Sequence, residues 1–199
     1  MMRSVLLFAE DAGHEQIIGA LVQRLAAEHG VDIVLRVRSA TGGHGKVFDA
    51  LRRFLRDLPR QPEPSPDLLL VALDANCKGY VACRREVDAA LAAYSLPVVC
   101  AIPDPHVERW LLLDGAAFRH VLGKGCSAPD QKCNRDRYKD LLRSAVRATG
   151  ITPLLGGIEH GEEIIQAMDL TRAALADESL GRFLSAMRAQ FQQWKIEGQ

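Results

Sequence analysis

The feature that most constrains the fold is an alternation of short apolar runs with segments whose apolar residues recur at helical spacing. Four runs have the length and composition of buried strands: residues 5–8, 31–37, 68–73 and 97–102. Strands that alternate with helices are typical of a parallel sheet with crossover helices. The sequence therefore predicts an α/β fold: a Rossmann-like, mostly parallel sheet with helices on both faces.

Beyond residue 104 the pattern is mostly helical. No internal repeat or domain boundary is evident, so we expect one domain over residues 1–199. Its sheet-containing core would be about residues 1–120, with a helical C-terminal extension of about residues 121–199. The proline-rich connection at 59–66 should be extended, because proline cannot continue a helix. Helices are predicted at residues 15–28, 48–58, 81–94, 107–113, 138–148, 162–175 and 180–194.

Charge and apolar content limit the functional class. The chain has 25 basic and 25 acidic residues, so its net charge is zero, which argues against coating nucleic acid by bulk charge but permits a local basic patch. No segment is long and apolar enough for a signal peptide or a membrane span, so we expect a cytoplasmic protein with no membrane partner. With five cysteines and no export signal, we expect reduced thiols.

Acidic residues follow three of the predicted strands. Glu10 and Asp11 follow the first, Asp74 (with the neutral Asn76) follows the third, and Glu108 lies beyond the fourth. In open α/β sheets the ligand site lies beyond the carboxyl ends of the strands. Clustered carboxylates repel one another unless a hard cation neutralises them, and oxygen ligands suit Mg²⁺ or Mn²⁺. This pattern predicts a metal site at that edge of the sheet.

Three segments in this order resemble the Toprim family. Residues 6–15, LLFAEDAGHE, resemble its strand–Glu–turn–helix opening, and residues 70–76, LVALDAN, resemble its strand followed by Asp-x-Asp. Residues 102–112, IPDPHVERWLL, are similar to a Pro-x-x-x-Glu-x-Trp-Leu-Leu segment of small bacterial Toprim-like proteins. These proteins are related to the overcoming-lysogenization-defect nucleases. The resemblance covers roughly the first 120 residues and rests on the order of the motifs.

The resemblance implies a metal-dependent phosphodiester hydrolase, such as an endonuclease, or a related phosphotransferase acting on nucleic acid. Glu10 would be a general acid/base or a metal ligand, Asp74 the principal Mg²⁺ ligand, and Glu108, with Glu15 as a further candidate, would complete the site. Such proteins are also thought to serve as effectors of antiviral defence, usually beside an ATPase. The chain departs from Asp-x-Asp at Asn76, a weaker cation ligand, which puts two-metal chemistry in doubt.

The acidic residues also have a purely structural interpretation. Glu10, Asp11 and Glu108 would cap helices or complement helix dipoles, and Asp74 would be a turn residue. On that interpretation the chain is a catalytically silent Toprim-like binding module that works with a partner ATPase through its helical C-terminal half. An enzyme acting on small phosphorylated substrates is a third alternative.

Two basic segments are candidates for nucleic-acid contact. The turn at 41–46 is not a Walker A motif, but Lys46 or its backbone could contact a phosphate. The loop at 123–139 has five basic residues, and we expect four of them to contact nucleic acid: Lys124, Lys132, Arg135 and Arg137. A solvated loop without such contacts is the alternative.

Two further alternatives concern the C-terminal part of the chain. His120, Cys126 and Cys133 could bind zinc, although the spacing of the cysteines is unusual. Apolar residues of the last helices that are not needed to cover the sheet would form an interface with a partner or a second copy of the chain.

Overall fold

The computed structural model describes residues 2–40, 42–60, 64–134 and 136–198. Within these residues the chain forms four strands and nine α-helices, with three single 3-10 turns. The α/β prediction is confirmed. In chain order the elements are β1 (Arg3–Ala9), α1 (Ala12–His29), β2 (Ile33–Ser39), α2 (His44–Asp57), β3 (Leu68–Ala72), α3 (Tyr80–Leu91), β4 (Val98–Ala101), α4 (Glu108–Leu111), α5 (Gly115–Leu122), α6 (Arg137–Arg147), α7 (Gly161–Ala167), α8 (Leu170–Ala176) and α9 (Glu178–Glu197).

The four strands form one parallel sheet in the order β2-β1-β3-β4. The chain moves outward from β1 to β2 and then crosses back over β1 to β3. The direction of strand addition therefore reverses between β1 and β3. A crevice outside the carboxyl ends of the strands forms at such a reversal, and ligands bind there in open α/β sheets.

Each face of the sheet has its own hydrophobic core. Side chains alternate along a strand, so Val5 and Leu7 face one side of the sheet and Leu6 and Phe8 the other. The first core includes α1, α7 and α9, and the second includes α2 and α3. Helices cover both faces, which explains why the central strands are apolar throughout and do not alternate with polar residues.

The C-terminal helices complete the first core. In α9, Phe183 and Phe191 are buried in the same cluster as β1 and α1. At its start, Asp177 caps α9 through Leu180 N (2.8 Å) and forms a buried ion pair with Arg109 of α4. Near its end, Glu197 pairs with Arg3 of β1 at 2.8 Å. The helical extension is thus part of the structure that covers the sheet.

The helix predicted at 162–175 is wrong as a single element. It is interrupted at Met168, whose backbone is extended (ψ 138°), and Asp169 caps a new helix by accepting a hydrogen bond from Arg172 N (3.0 Å). The helix α5 was not predicted. In the proline-rich connection, residues 58–60 form a 3-10 turn, and 61–63 lie outside the described residues. No described helix combines the length and apolar character that crossing a bilayer requires.

Candidate metal centre

The ends of β1 and β3 bring Glu10 and Asp74 together at the reversal point of the sheet. Glu10 N donates to Ala72 O of β3 (3.1 Å), and Asp74 N donates to Glu10 Oε2 (3.0 Å). The Glu10 side chain is half-buried and Asp74 is 8% exposed. The parallel register of the two strands therefore fixes both carboxylates at one edge, as the sequence pattern predicted.

Two histidines and a backbone amide surround the Asp74 carboxylate. Oδ1 lies 3.0 Å from His14 Nε2 and accepts a hydrogen bond from Val107 N (2.9 Å). Oδ2 lies 3.0 Å from His106 Nδ1. His106 precedes α4 and His14 lies in the first turn of α1, so three connections meet at this one carboxylate. These contacts hold Asp74 in a single orientation.

His14 is buried between two carboxylates. Its Nε2 faces Asp74 and its Nδ1 lies 2.9 Å from Asp11 Oδ1, so both ring nitrogens face acceptors. Burial by itself would lower the His14 pKa, but the charge of Asp74 and the hydrogen bonds to both aspartates outweigh it and raise the pKa to about 10. His14 is therefore a buried imidazolium at neutral pH, and it was missed by the sequence analysis.

The neighbouring pKa shifts agree with a charged network. The hydrogen bond from His14 holds the pKa of Asp11 well below its ordinary range. Burial would raise the pKa of Asp74, but the charge of His14 and the hydrogen bond from His106 lower it overall. The bond to Asp74 raises the pKa of His106. Asp74 is thus held ionised, the protonation state that a metal ligand needs.

Glu10, His14 and Asp74 form the one group of described residues with the spacing of a metal site. One ligand atom from each lies within 4.8 Å of the others. Among the described residues Glu10 Oε1 accepts no hydrogen bond, and Asp74 Oδ2 accepts only one, which leaves it a free lone pair. Two open carboxylate oxygens suit one Mg²⁺ or Mn²⁺ whose other ligands are water and a substrate phosphate. As an imidazolium, His14 has no lone pair for a metal, so a cation at this site would be held by Glu10 and Asp74 alone.

Asn76 does not join this group, which is contrary to the ligand set expected from the sequence. It adopts a left-handed backbone conformation (φ 50°), is exposed, and its Nδ2 donates to the backbone oxygen of Asp74 at 3.2 Å. Asparagine tolerates this conformation better than most residues and stabilises turns in this way. Asn76 therefore shapes the turn after β3.

Glu108 lies beside the group but outside it. Its side chain is 5% exposed, Oε2 has no hydrogen-bond partner, and Oε1 is 3.9 Å from Lys139 Nζ. Burial, followed by the negative charge of Asp74, raises the Glu108 pKa. A buried carboxyl group without partners favours its protonated form. Glu108 is therefore better suited to hold a proton near the site than to bind a cation.

The other acidic residues have structural roles. Asp11 caps α1 by accepting a hydrogen bond from His14 N (3.0 Å), as the structural interpretation expected. Glu15 accepts a hydrogen bond from Ser39 Oγ at the end of β2 and does not belong to the metal group. Glu10 caps no helix, since its carboxylate contacts the β3 turn.

The glycine-rich turn passes over the candidate site. A Cβ on Gly43 would lie 3.9 Å from Glu10 Oε1, and the backbone there has φ 86°, which favours glycine. The Lys46 side chain folds back over Gly42, and His44 is tied to Glu86 on α3 (2.7 Å). The turn therefore lies close to the open oxygen of Glu10.

Two cations of the predicted basic loop share one exposed carboxylate. Lys132 pairs with Asp130 at 2.8 Å, and Arg137 pairs with the same carboxylate. Lys124 forms no ion pair with the described residues, and Arg135 lies outside them. Lys139, at the start of α6, is the cation that approaches the acidic site, at 3.9 Å from Glu108.

The expectation that all cysteines are reduced is wrong for two of them. Cys77, in the turn after β3, forms a disulfide with Cys133 of the basic loop. Cys83, Cys100 and Cys126 are free thiols. Because Cys133 is oxidised, it cannot supply the thiolate that the zinc alternative required. The pairing was not visible in the sequence, because 56 residues separate the two cysteines.

Comparisons of the chain with protein-family models, with curated proteins and with solved structures return no match. The function proposed below is therefore inferred from the sequence and from the geometry of the site.

Proposed function

We propose that the chain is a hydrolase or phosphotransferase that depends on one divalent cation, Mg²⁺ or Mn²⁺, and acts on phosphodiester bonds of nucleic acid. The observation that carries this proposal is the convergence of Glu10 and Asp74, each with an open carboxylate oxygen, at the reversal point of the sheet. The resemblance of the three sequence segments to Toprim domains supports the same chemistry.

The residues of the site would have different roles. A bound cation would supply charge neutralisation of a phosphoryl oxygen and a lower pKa for a bound water. Glu10 and Asp74 would hold it, with Asp74 kept ionised by His14 and His106. Glu108, whose raised pKa favours a proton on its buried carboxyl group, would donate that proton to the leaving oxygen. Lys139 beside it would attract the phosphate.

Calorimetric titration with Mg²⁺ and Mn²⁺ tests this proposal, followed by cleavage assays on plasmid DNA, single-stranded DNA and RNA. The key variant is Glu10→Gln, because the amide oxygen can still accept the bond from Asp74 N while the open carboxylate oxygen is lost. The matched control is Glu15→Gln, which changes a carboxylate of the same segment that lies outside the metal group.

We expect the wild-type chain and Glu15→Gln to bind one cation and to cleave at least one of the substrates. Glu10→Gln should keep its fold, as judged by circular dichroism, and lose both properties. A folded wild-type chain that binds neither cation would contradict the proposal, as would unchanged binding in Glu10→Gln.

A catalytically silent binding module is the second candidate. Three of the four lone pairs of the Asp74 carboxylate already accept protein hydrogen bonds, and Asn76 is turned away from the group. This module would bind nucleic acid or a partner ATPase without a cation. Oligonucleotide or ATPase binding in EDTA, with no calorimetric signal for either metal, would favour it.

A further inference from the structure

One exposed face of α6 carries three cations in a straight row. Lys139, Arg143 and Arg147, which we call the α6 cation row, are four residues apart and therefore share one side of the helix. At 1.5 Å per residue, each step along the row is about 6 Å. The α6 cation row is thus a short ridge of regularly spaced positive charge.

The rest of α6 explains why this face is free. Tyr138, Leu142 and Val146 are buried and attach the helix to the domain by its other side. The described residues leave Lys139, Arg143 and Arg147 exposed. Packing therefore fixes the position of the α6 cation row without using its charges.

The charges of this row are also weakly paired. Arg143 contacts Asp140 of the same helix, but the two side chains are 44% and 65% exposed, and pairs of this kind contribute little. Arg147 forms no ion pair with any residue that the structure describes. By contrast, Lys132 and Arg137 share Asp130. Positive charge therefore remains available along α6.

One end of the row lies against Glu108, the buried carboxyl group beside the candidate metal centre. Lys139 Nζ is 3.9 Å from Glu108 Oε1, and its charge also acts on Asp11 and His106. Arg143 and Arg147 then lie one and two turns further along the helix. A polyanion bound along this row would enter the site at its Lys139 end.

We propose that the α6 cation row binds the phosphate backbone of a single nucleic-acid strand and leads that strand to the Glu10–Asp74 site. This inference rests on the proposed function only for the reaction of the strand at the Glu10–Asp74 site, and not for its binding along α6. A single row of cations matches the phosphates of one strand, and repeated charge at regular spacing suits a polymer better than a free phosphate ion. Because the chain has zero net charge, binding of a polyanion would depend on a local basic surface of this kind.

Fluorescence anisotropy with a labelled single-stranded oligonucleotide of about 12 nucleotides, as DNA and as RNA, tests the proposal. The measurements are made in EDTA over a range of salt concentrations, so that they do not depend on a metal. The test variant is Arg143→Gln/Arg147→Gln, which leaves Lys139 at the site unchanged. The matched control is Arg52→Gln/Arg56→Gln, two exposed arginines with the same spacing on α2.

The α6 double variant should bind about tenfold or more weakly, and its salt slope should fall by about 1.4, because each single-strand phosphate contact contributes about 0.7. The α2 control should bind like the wild-type chain. Three results would overturn the proposal. The first is an equal loss of oligonucleotide affinity in both variants, and the second is an unchanged salt slope in the α6 variant. The third is a wild-type chain that binds anionic vesicles or an acidic peptide but not the oligonucleotide. Failure of cleavage with strand binding intact would contradict the proposed function alone.

Discussion

At the scale of single residues, the side chain on which the candidate site most depends is His14. It is not among the acidic residues that the sequence analysis selected. Its ring is 1% exposed and bridges Asp11 and Asp74. Without this cation, the buried carboxylate of Asp74 would lose one of its two histidine partners, and Asp11 would lose its own. The same contacts orient Asp74, so the stability of the fold and the geometry of the site depend on one side chain.

We expect His14→Gln to lower the free energy of unfolding by about 3 kcal/mol, because removing one partner of a buried ion pair leaves the other charge uncompensated. Urea denaturation measures the change. His120→Gln is the control, since His120 is exposed on α5 and should change stability by less than about 0.5 kcal/mol. Equal effects of the two substitutions would contradict a central role for His14.

The contribution of His14 should depend on pH in a defined direction. Its pKa is raised from 6.5 to about 10 by folding, so its protonation stabilises the fold fully below 6.5 and this contribution is lost as the pH rises through about 10. Asp11 and Asp74 have lowered pKa values, so their contribution is present above the ordinary value of 3.8 and is lost as the pH falls through their folded pKa values.

The difference in unfolding free energy between wild type and His14→Gln should therefore be large at ~pH 5 and smaller at ~pH 9.5. Urea denaturation of both proteins at the two pH values checks this, and the other titrating groups largely cancel in the difference. A difference that grows toward alkaline pH would contradict the assignment of His14 as a buried cation.

At the scale of secondary-structure elements, the sequence predicts the sheet well and the site in part. The strand positions follow from apolar runs, and parallel strands necessarily deliver Glu10 and Asp74 to one edge. The break at Met168 and the helix α5 were missed, because local capping by Asp169 and Asp114 outweighs the apolar period there. The contacts of Asp74 with His14 and His106 span 60 and 32 residues, and no local pattern encodes them.

The disulfide joins two elements that meet beside the candidate site. Because Cys77 and Cys133 are 56 residues apart, their bond restricts the unfolded chain, and its reduction should lower the unfolding free energy by about 2–4 kcal/mol. Urea denaturation with and without a reductant measures this. Cys77→Ser/Cys133→Ser should not respond to the reductant, whereas Cys126→Ser, which keeps the bond, should respond like wild type. A wild-type chain that is insensitive to the reductant would contradict the pairing.

At the scale of the whole molecule, the question is whether the sheet can exist without the helices that follow it. The sequence predicts one domain over residues 1–199, with a core of about residues 1–120 and a helical extension of about 121–199. In the structure the extension is needed to cover the sheet, because α7 and α9 share one hydrophobic core with α1 and β1. Without them one face of the sheet would expose its apolar side chains to water, at a cost of about 25 cal/mol per Å².

We therefore expect a fragment of residues 1–120 to be unfolded or aggregated. It would lose Asp177, the buried partner of Arg109, and the α9 side chains that pack on the sheet, such as Phe183. Mixed with a fragment of residues 121–199, it should recover helical circular dichroism and a dispersed amide spectrum, since the two parts rebuild one core. The intact chain is the control. A dispersed spectrum from residues 1–120 alone would show that the sheet is an independent unit, and the C-terminal helices would then be free to act as an interface with a partner.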